Sequence, residues 1–327
     1  MNRIRKSGDA MTTPLFITEE QVKSLFTMPI AVEAVEEAFK ARARGDAFNE
    51  PRRRLPTSSG AYNVMFATWR GHQIAGLKSY PGGAGGINFH VMLYDTSNNS
   101  LVAVIEANRM GQMRTGAASG VATKYMARDN SETVGIIGSG YQAETQLEAI
   151  AHVRKIKSAK VYSRSEENRN RYAAKMSNAL GIDVTAVSSG EEAADSDIVA
   201  TITNSQQPVL LGEWFKPGTH INAAGNNSWL KREIDTRAIA MSDIVATDDV
   251  EQAKFECGEL MRAAEVGRFS WDLAVPIHDI VGGKSSGRDD DEQVTLFESQ
   301  GLALEDIAAC ERIVELAREK GIGTPLK

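Results

Sequence analysis

The ten residues Val134-Gly-Ile-Ile-Gly-Ser-Gly-Tyr-Gln-Ala143 constrain this chain more than any others. An apolar run passes straight into Gly138-x-Gly140-x-x-Ala143, and a helix-forming stretch from Glu144 to Val153 follows at once. Strand, glycine turn and helix in that order are what a dinucleotide pyrophosphate requires. Gly138 permits the tight turn, Gly140 lets backbone reach the phosphates, and Ala143 allows close packing of helix on strand. The helix start then offers free N–H groups and the positive end of its dipole to the anion. The segment predicts a nicotinamide- or flavin-type site near position 138.

A second strand, Lys160-Val-Tyr-Ser163, ends in Ser163-Arg164-Ser165, roughly 20 residues beyond the glycines, as such a unit requires. An acidic residue there would grip a ribose 2′-hydroxyl and favour NAD(H). Arg164 can instead pair with a 2′-phosphate, so the expectation leans towards NADP(H) and leaves NAD(H) open.

Around this unit the hydrophobic period changes twice. Thr18-Glu-Glu-Gln21 reads as a capping box opening a short helix, and Pro29 starts a second with Val32, Val35 and Phe39 on one face. The first ten or so residues read as disordered. Tyr62 to Trp69, Gln73 to Tyr80, Phe89 to Tyr94 and Leu101 to Ile105 read as strands, the last two joined by the hairpin turn 95–100. Arg114 to Tyr125 reads as a helix of small residues. From Glu132 onwards strands and helices alternate, with strands expected at 133–138, 160–163, 183–187, 197–202, 219–223 and near 243–247, which indicates a parallel sheet covered on both faces. Ser285 to Asp291 reads as an exposed loop, and Glu305 to Lys320 as the last helix.

At 327 residues there is room for two domains. The net charge of −6 gives no reason to expect nucleic acid or an anionic membrane as partner. No apolar run approaches the length of a membrane span. Cys257 and Cys310 are the two cysteines, expected to be plain packing residues, and with no apolar stretch behind the basic N-terminus they suggest a cytoplasmic protein. The five histidines lie far apart, so no metal is expected. Glu251, Glu256 and Glu259 read as the solvated face of a helix.

Three basic positions stand out: the cluster Arg52-Arg53-Arg54, Lys78 in Gly76-Leu-Lys-Ser, and Arg114 in Met113-Arg-Thr-Gly-Ala. Lys78 has uncharged neighbours on its strand, a setting for a strand edge or a working group. Arg114-Thr115 is read as a helix start, where a cation is unfavourable unless an anion is also present. Together with a dinucleotide they suggest a receptor for a small carboxylate, which arginine binds in bidentate fashion.

The chain resembles the ornithine cyclodeaminase/mu-crystallin family over nearly its full length. The matching segments are Glu50-Pro-Arg52, Gly76-Leu-Lys78, Gly111 to Ala118, Gly138 to Ala143, Gly212 to Gly218, His220 to Gly225, and Thr295 to Ala303 with Glu305-Asp306. The resemblance implies a Rossmann NAD(P)-binding domain (131–302) and an α/β substrate-binding and dimerisation domain (1–130 with 303–327), and hence a homodimer. It implies that Arg52, Lys78 and Arg114 surround a substrate carboxylate and that Lys78 assists proton transfer at an imine nitrogen. Thr115, beside Arg114, and the loop Gly138, Ser139, Gly140, Gln142, Ala143 would hold the pyrophosphate. Ser163, Arg164 and Ser165 would meet the adenosine ribose, and Thr203, Asn204 and Ala224 the nicotinamide side.

One departure matters. The cyclodeaminases carry an aspartate just after the glycine corresponding to Gly225, and this chain has Asn226. An amide has no usable pKa and cannot serve as general acid or base, though it can still hydrogen-bond substrate or cofactor. The expected activity is therefore NAD(P)H-dependent reduction of an α-imino acid to an α-amino acid. On a strand-like stretch Arg54 shares the face of Arg52, so Arg54 could read a second carboxylate, as in iminosuccinate reduced to aspartate. Cyclodeamination of ornithine to proline and ammonia, and a non-catalytic ligand binder of mu-crystallin type, are the rival expectations.

Overall fold

A computed structural model describes residues 13–83 and 86–326. The N-terminal residues expected to be disordered fall largely outside that range. The chain forms two compact units, Met1–Arg114 with Leu302–Lys327, and Thr115–Gly301. The boundary expected from the sequence lies at 130/131; these compact units meet at Arg114/Thr115, within a helix.

The first unit opens with β1 (Leu15–Ile17), α1 (Glu19–Leu25) and α2 (Met28–Ala43). The capping box is formed: Thr18 Oγ1 accepts from the Gln21 N–H, and the Gln21 side chain accepts from the Thr18 N–H. Val32, Val35 and Phe39 are buried. Next come β2 (Ala47–Asn49), β3 (Arg53–Thr57), β4 (Gly60–Trp69), β5 (Ile74–Gly83), β6 (Gly86–Ile87), β7 (His90–Asp95), β8 (Ser100–Glu106) and α3 (Asn108–Met126). The hairpin between β7 and β8 is antiparallel, as its turn predicts. Sheet order is β17-β1-β8-β7-β5-β4-β2, where β17 (Thr324–Pro325) closes the chain. On β4, Met65, Ala67 and Trp69 are buried, while Tyr62 and Phe66 on the other face are exposed.

The first helical residue of α3 is Asn108, so Arg114 is not at a helix start, as expected, but at the seventh position. The signal was missed because the cap is remote: the Glu19 carboxylate accepts from the Asn108 and Arg109 N–H groups at 3.0 and 2.7 Å. The anion that the arginine needs comes from elsewhere, as described below.

The second unit continues with β9 (Thr133–Ile137), α4 (Ala143–Val153), β10 (Ser158–Tyr162), α5 (Glu166–Leu180), β11 (Asp183–Ala186), α6 (Gly190–Ala194) and β12 (Ile198–Thr201). It proceeds through β13 (His220–Ala223), α7 (Thr236–Ala240), β14 (Ile244–Thr247), α8 (Val250–Glu256), α9 (Gly258–Glu265), β15 (Ala274–Pro276), α10 (Ile277–Val281) and β16 (Thr295–Glu298). Its eight strands are all parallel, in the order β11-β10-β9-β12-β13-β16-β14-β15. The chain order turns back at β9/β12, the switch point beside which ligands bind in such sheets. The α3 glycines allow close packing on α4, since a Cβ at Gly116 would lie 2.3 Å from the Thr145 carbonyl oxygen.

The loop 285–291 is largely exposed but pinned. Arg288 donates to the carbonyls of Met126, Gly218 and Gln293. The last helix, α11 (Ala303–Lys320), belongs to the first unit, where it packs on α2 and the sheet. A Cβ at Gly76 would lie 2.7 Å from Ile307, so this glycine sets how closely α11 approaches β5.

Candidate active site

In the first unit, β5 places Lys78 on the buried face of the sheet, opposite Met65 of β4 and Val91 of β7. A lysine with 2% of its surface exposed needs an anion, and Asp306 supplies one at 2.6 Å. Asp306 Oδ1 also accepts from Arg114 Nε at 2.9 Å, and Glu305 Oε2 accepts from Arg114 Nη1 at 3.0 Å. Both carboxylates lie in the first turn of α11, where the helix dipole favours negative charge. Asn49 Oδ1 accepts from the Leu304 N–H there, in place of a cap from Leu302. Arg52 is buried with Nε 3.3 Å from Met65 Sδ, on the residue paired with Lys78 across the sheet. The Lys78 ammonium also lies 5.3 Å from the centre of the Phe89 ring.

Burial, then the Arg114 charge, lowers the Lys78 pKa to about 8, with Asp306 opposing. For Arg114, burial works against the charge but Asp306 and Glu305 outweigh it and raise the pKa. Burial and the neighbouring Asp306 outweigh Arg114 at Glu305 and push its carboxyl up. The cluster thus sets Lys78 and Arg114 on Asp306 and Glu305, with Arg52 near enough to act on the Lys78 charge, a concentration of cations that can take another anion. Sequence reasoning found the cations and missed the role of their counter-ions. Arg54 is not in this buried group: it is exposed on β3 while Arg52 is buried.

In the second unit Gly138 has φ +115°, and a Cβ there would lie 2.5 Å from the Ile202 carbonyl oxygen. Gly140 has open space where its Cβ would be, and the following helix, α4, begins without a side-chain cap. Ala143 is fully buried against the strands. The loop is tied down by a Ser139 Oγ to Ser163 Oγ hydrogen bond of 2.7 Å. Thr115 lies beside the first turns of α4, since its carbonyl accepts from Gln146 Nε2 at 3.4 Å. Ser165 caps α5 by accepting from the Asn168 N–H, and Arg164 is exposed. Arg169, which sequence reasoning passed over, donates to the Ser163 carbonyl at 3.1 Å and sets a second guanidinium at the end of β10.

Thr203 and Ala224 follow β12 and β13, with Asn204 exposed beside Thr203. Glu233 ties these loop starts together. Its carboxylate accepts from the Thr203 N–H at 2.5 Å and from the Gly225 N–H at 2.6 Å. Burial raises its pKa to about 7 despite the Thr203 bond, and Glu259 adds to the rise. Asn226 is buried, with Nδ2 3.4 Å from the Ser205 carbonyl and an Oδ1 without a hydrogen-bond partner among the described residues. The expectation that Glu251, Glu256 and Glu259 form a solvated face is corrected: Glu251 is exposed, but Glu256 and Glu259 are buried. The chain breaks at Cys257 into α8 and α9, which turns those two side chains inward.

A nucleotide-type parallel sheet and a buried lysine–arginine receptor on one chain are the marks of a dinucleotide-dependent oxidoreductase. The chain belongs to the ornithine cyclodeaminase/mu-crystallin family, whose model matches residues 12–321. It is 37% identical over 321 residues to the alanine dehydrogenase of Archaeoglobus fulgidus, covering 96% of this chain and 98% of that protein. It is 31% identical over 322 residues to the iminosuccinate reductase of Paracoccus denitrificans, covering 94% and 98%. The structure of Thermococcus litoralis Δ1-pyrroline-2-carboxylate reductase in complex with NADH and L-proline matches with a TM-score of 0.91 at 32% identity, covering 95% of this chain and 100% of the other. Among the described residues no helix is long and apolar enough to cross a membrane.

Proposed function

We propose that this protein reduces an α-imino acid to an α-amino acid with NAD(P)H. The observation that carries the reading is the buried Lys78–Asp306 pair beside Arg114 and Arg52. The residues of the second unit fit a dinucleotide: Gly140 leaves room for phosphate, α4 presents uncapped N–H groups, and the Asn226 Oδ1 has acceptor capacity to spare. Gly138, Ser139, Gly140, Gln142, Ala143 and Thr115 would hold the pyrophosphate, and Thr203, Asn204, Ala224 and Asn226 the nicotinamide end. Arg164, with Arg169 behind it, supports NADP(H) over NAD(H). When bound, the cofactor supplies a hydride to the imine carbon.

The chain's own residues do the rest. Arg52 and Arg114 clamp the carboxylate and so fix the face of the imine, and positioning of this kind removes roughly 7–11 kcal/mol of barrier. Lys78, with a pKa of about 8, passes a proton to the imine nitrogen as it becomes an amine. Asp306 holds the ammonium in place and keeps it charged near neutral pH. Asn226 cannot relay a proton, which weighs against cyclodeamination of a diamino acid. Arg54, exposed on β3, could read a second carboxylate only as an arm reaching from the surface.

A second copy of the chain would cover the exposed face of β4. Phe48, Leu55, Tyr62 and Phe66 are all on the surface there, with Leu55 directly opposite Tyr62 in the sheet. Replacing Phe66 by Lys should shift sedimentation from dimer to monomer, and an unchanged dimer would remove this face from the interface.

The reaction itself is tested by NAD(P)H oxidation at 340 nm (the nicotinamide band). Pyruvate, glyoxylate or oxaloacetate with ammonium, and pyrroline-2-carboxylate, are the substrates, with ornithine and no reductant alongside. Oxidation with an imine is expected, and the best substrate reports whether a second carboxylate is read. Ammonia release from ornithine alone would replace the proposal by cyclodeamination.

A further inference from the structure

The second unit gathers acidic groups and a thiol that the proposed reaction does not use. Glu298, the last residue of β16, lies between Ala223 of β13 and Thr247 of β14. Cys257 precedes α9, and Glu259 is in its first turn. Cys257, Glu259 and Glu298 are 0%, 3% and 1% exposed, and the sulfur and one oxygen of each carboxylate lie within 4.8 Å of one another.

The buried carboxylates Glu233, Asp248 and Glu259 each accept backbone N–H groups, and Glu298 does not. Glu233 accepts two backbone N–H bonds, and Asp248 Oδ2 accepts from the Gln300 and Gly301 N–H groups. Glu298 has no lysine, arginine or backbone donor among the described residues; it meets the Cys257 thiol, and its buried Oε1 has no hydrogen-bond partner. A buried carboxylate needs a partner for its charge, whether a proton or a cation. The fully buried neighbours Glu233 and Asp248 add negative potential around it.

We propose that Cys257, Glu259 and Glu298 bind a divalent transition-metal ion of the zinc class, with water completing the coordination. One sulfur and two carboxylates match the borderline-soft donor set of such ions, and the thiolate selects them over magnesium and calcium. On binding, the Cys257 thiol loses its proton to solvent and the sulfur forms the bond to the metal. Two carboxylates and a thiolate carry three negative charges, so the ion removes most of the charge that burial disfavours. Its place in the fold is structural. Glu259 accepts from the Glu233 N–H at 2.6 Å, and Glu233 in turn holds the Thr203 and Gly225 loops. A metal here would brace the loops that follow β12 and β13.

The test needs no enzyme assay, so it is independent of the proposed activity. The full chain is expressed in zinc-depleted medium supplemented with cobalt, purified without chelator and analysed for metal. About one cobalt per chain is expected, with near-ultraviolet thiolate-to-cobalt absorption. Cys257→Ser should lose that absorption and most of the cobalt, while Cys310→Ser, whose thiol lies in the other unit, should keep both. Glu298→Gln should lower retained cobalt about tenfold with an unchanged circular-dichroism spectrum, and it carries the test if Cys257→Ser does not fold. The proposal is overturned if wild-type protein retains under about a tenth of an ion per chain. It is equally overturned if cobalt is held without thiolate absorption, or if Glu298→Gln holds as much as wild type.

Discussion

Lys78 and Asp306 form an ion pair of 2.6 Å in which both side chains are almost completely buried, although they lie on β5 and α11. Such a pair is costly to break, because the survivor is left as an uncompensated buried charge, at about 3–5 kcal/mol. Lys78→Ala should leave NADPH affinity unchanged while turnover falls by about 10²–10⁴. Asp306→Asn should act differently. Without Asp306 the main group opposing burial and Arg114 is gone, so the Lys78 pKa drops below about 8. Imine reduction needs the protonated form, so kcat/KM should fall as pH rises through that value, and in Asp306→Asn the fall should begin at lower pH. A pH–rate profile that does not move in Asp306→Asn would separate Lys78 from proton transfer.

Gly138 and Gly140 should respond oppositely to alanine. At Gly138 the positive φ and the 2.5 Å approach to the Ile202 carbonyl leave no place for a Cβ, so Gly138→Ala should lose stability by about 1–3 kcal/mol or more. At Gly140 there is open space, so Gly140→Ala should fold as wild type. Its methyl group would occupy room that the pyrophosphate needs, and NADPH affinity should fall at least about tenfold, or 1.4 kcal/mol. Thermal denaturation with and without cofactor reads both. A stable Gly140→Ala protein that binds NADPH normally would place the phosphates elsewhere.

How far the sequence disclosed this arrangement depended on whether the deciding contact was local. The unit from β9 to β13 was legible because strands buried on both faces read as short apolar runs punctuated by helices. β15 and β16 were not: each is three or four residues long, and β16 returns late in the chain to insert between β13 and β14. Lys78, Arg52 and Arg114 could be picked out as cations among uncharged neighbours. Their counter-ions could not, because Glu305 and Asp306 resemble any acidic first turn of a helix until α11 packs on the sheet. Glu256 and Glu259 were misjudged for the same reason, since acidic residues three apart look solvated and only tertiary packing buries them.

Glu233 makes the second unit sensitive to pH. Its pKa in the folded chain is about 7 against an ordinary value of 4.5, so between these limits the folded state binds the extra proton. A group raised in this way contributes stability below its unfolded pKa and loses it as pH rises through the folded one. The thermal midpoint should therefore decline between about pH 4.5 and 7. Glu233→Gln should be less stable throughout, because an amide has one acceptor oxygen for two N–H donors, and its midpoint should vary less over this range. An identical slope in the variant would assign the pH dependence to Glu259 and Glu298, whose carboxyls burial also raises.

The proposed preference for NADP(H) rests on Arg164. It is exposed at the end of β10, one residue from the Ser163 hydroxyl that meets Ser139, and the neighbouring Arg169 is already hydrogen-bonded to the Ser163 carbonyl. Arg164→Asp reverses the charge at the point where NADPH and NADH differ. The carboxylate would repel the 2′-phosphate and accept a hydrogen bond from the 2′-hydroxyl of NADH. The ratio of kcat/KM for NADPH over NADH should fall by about 10-fold or more, equivalent to 1.4 kcal/mol or more of discrimination. Because the side chain is exposed, stability should change by under about 0.5 kcal/mol. An unchanged ratio in a normally folded variant would show that position 164 does not meet the ribose, and that NADP(H) preference rests on Arg169 or is absent.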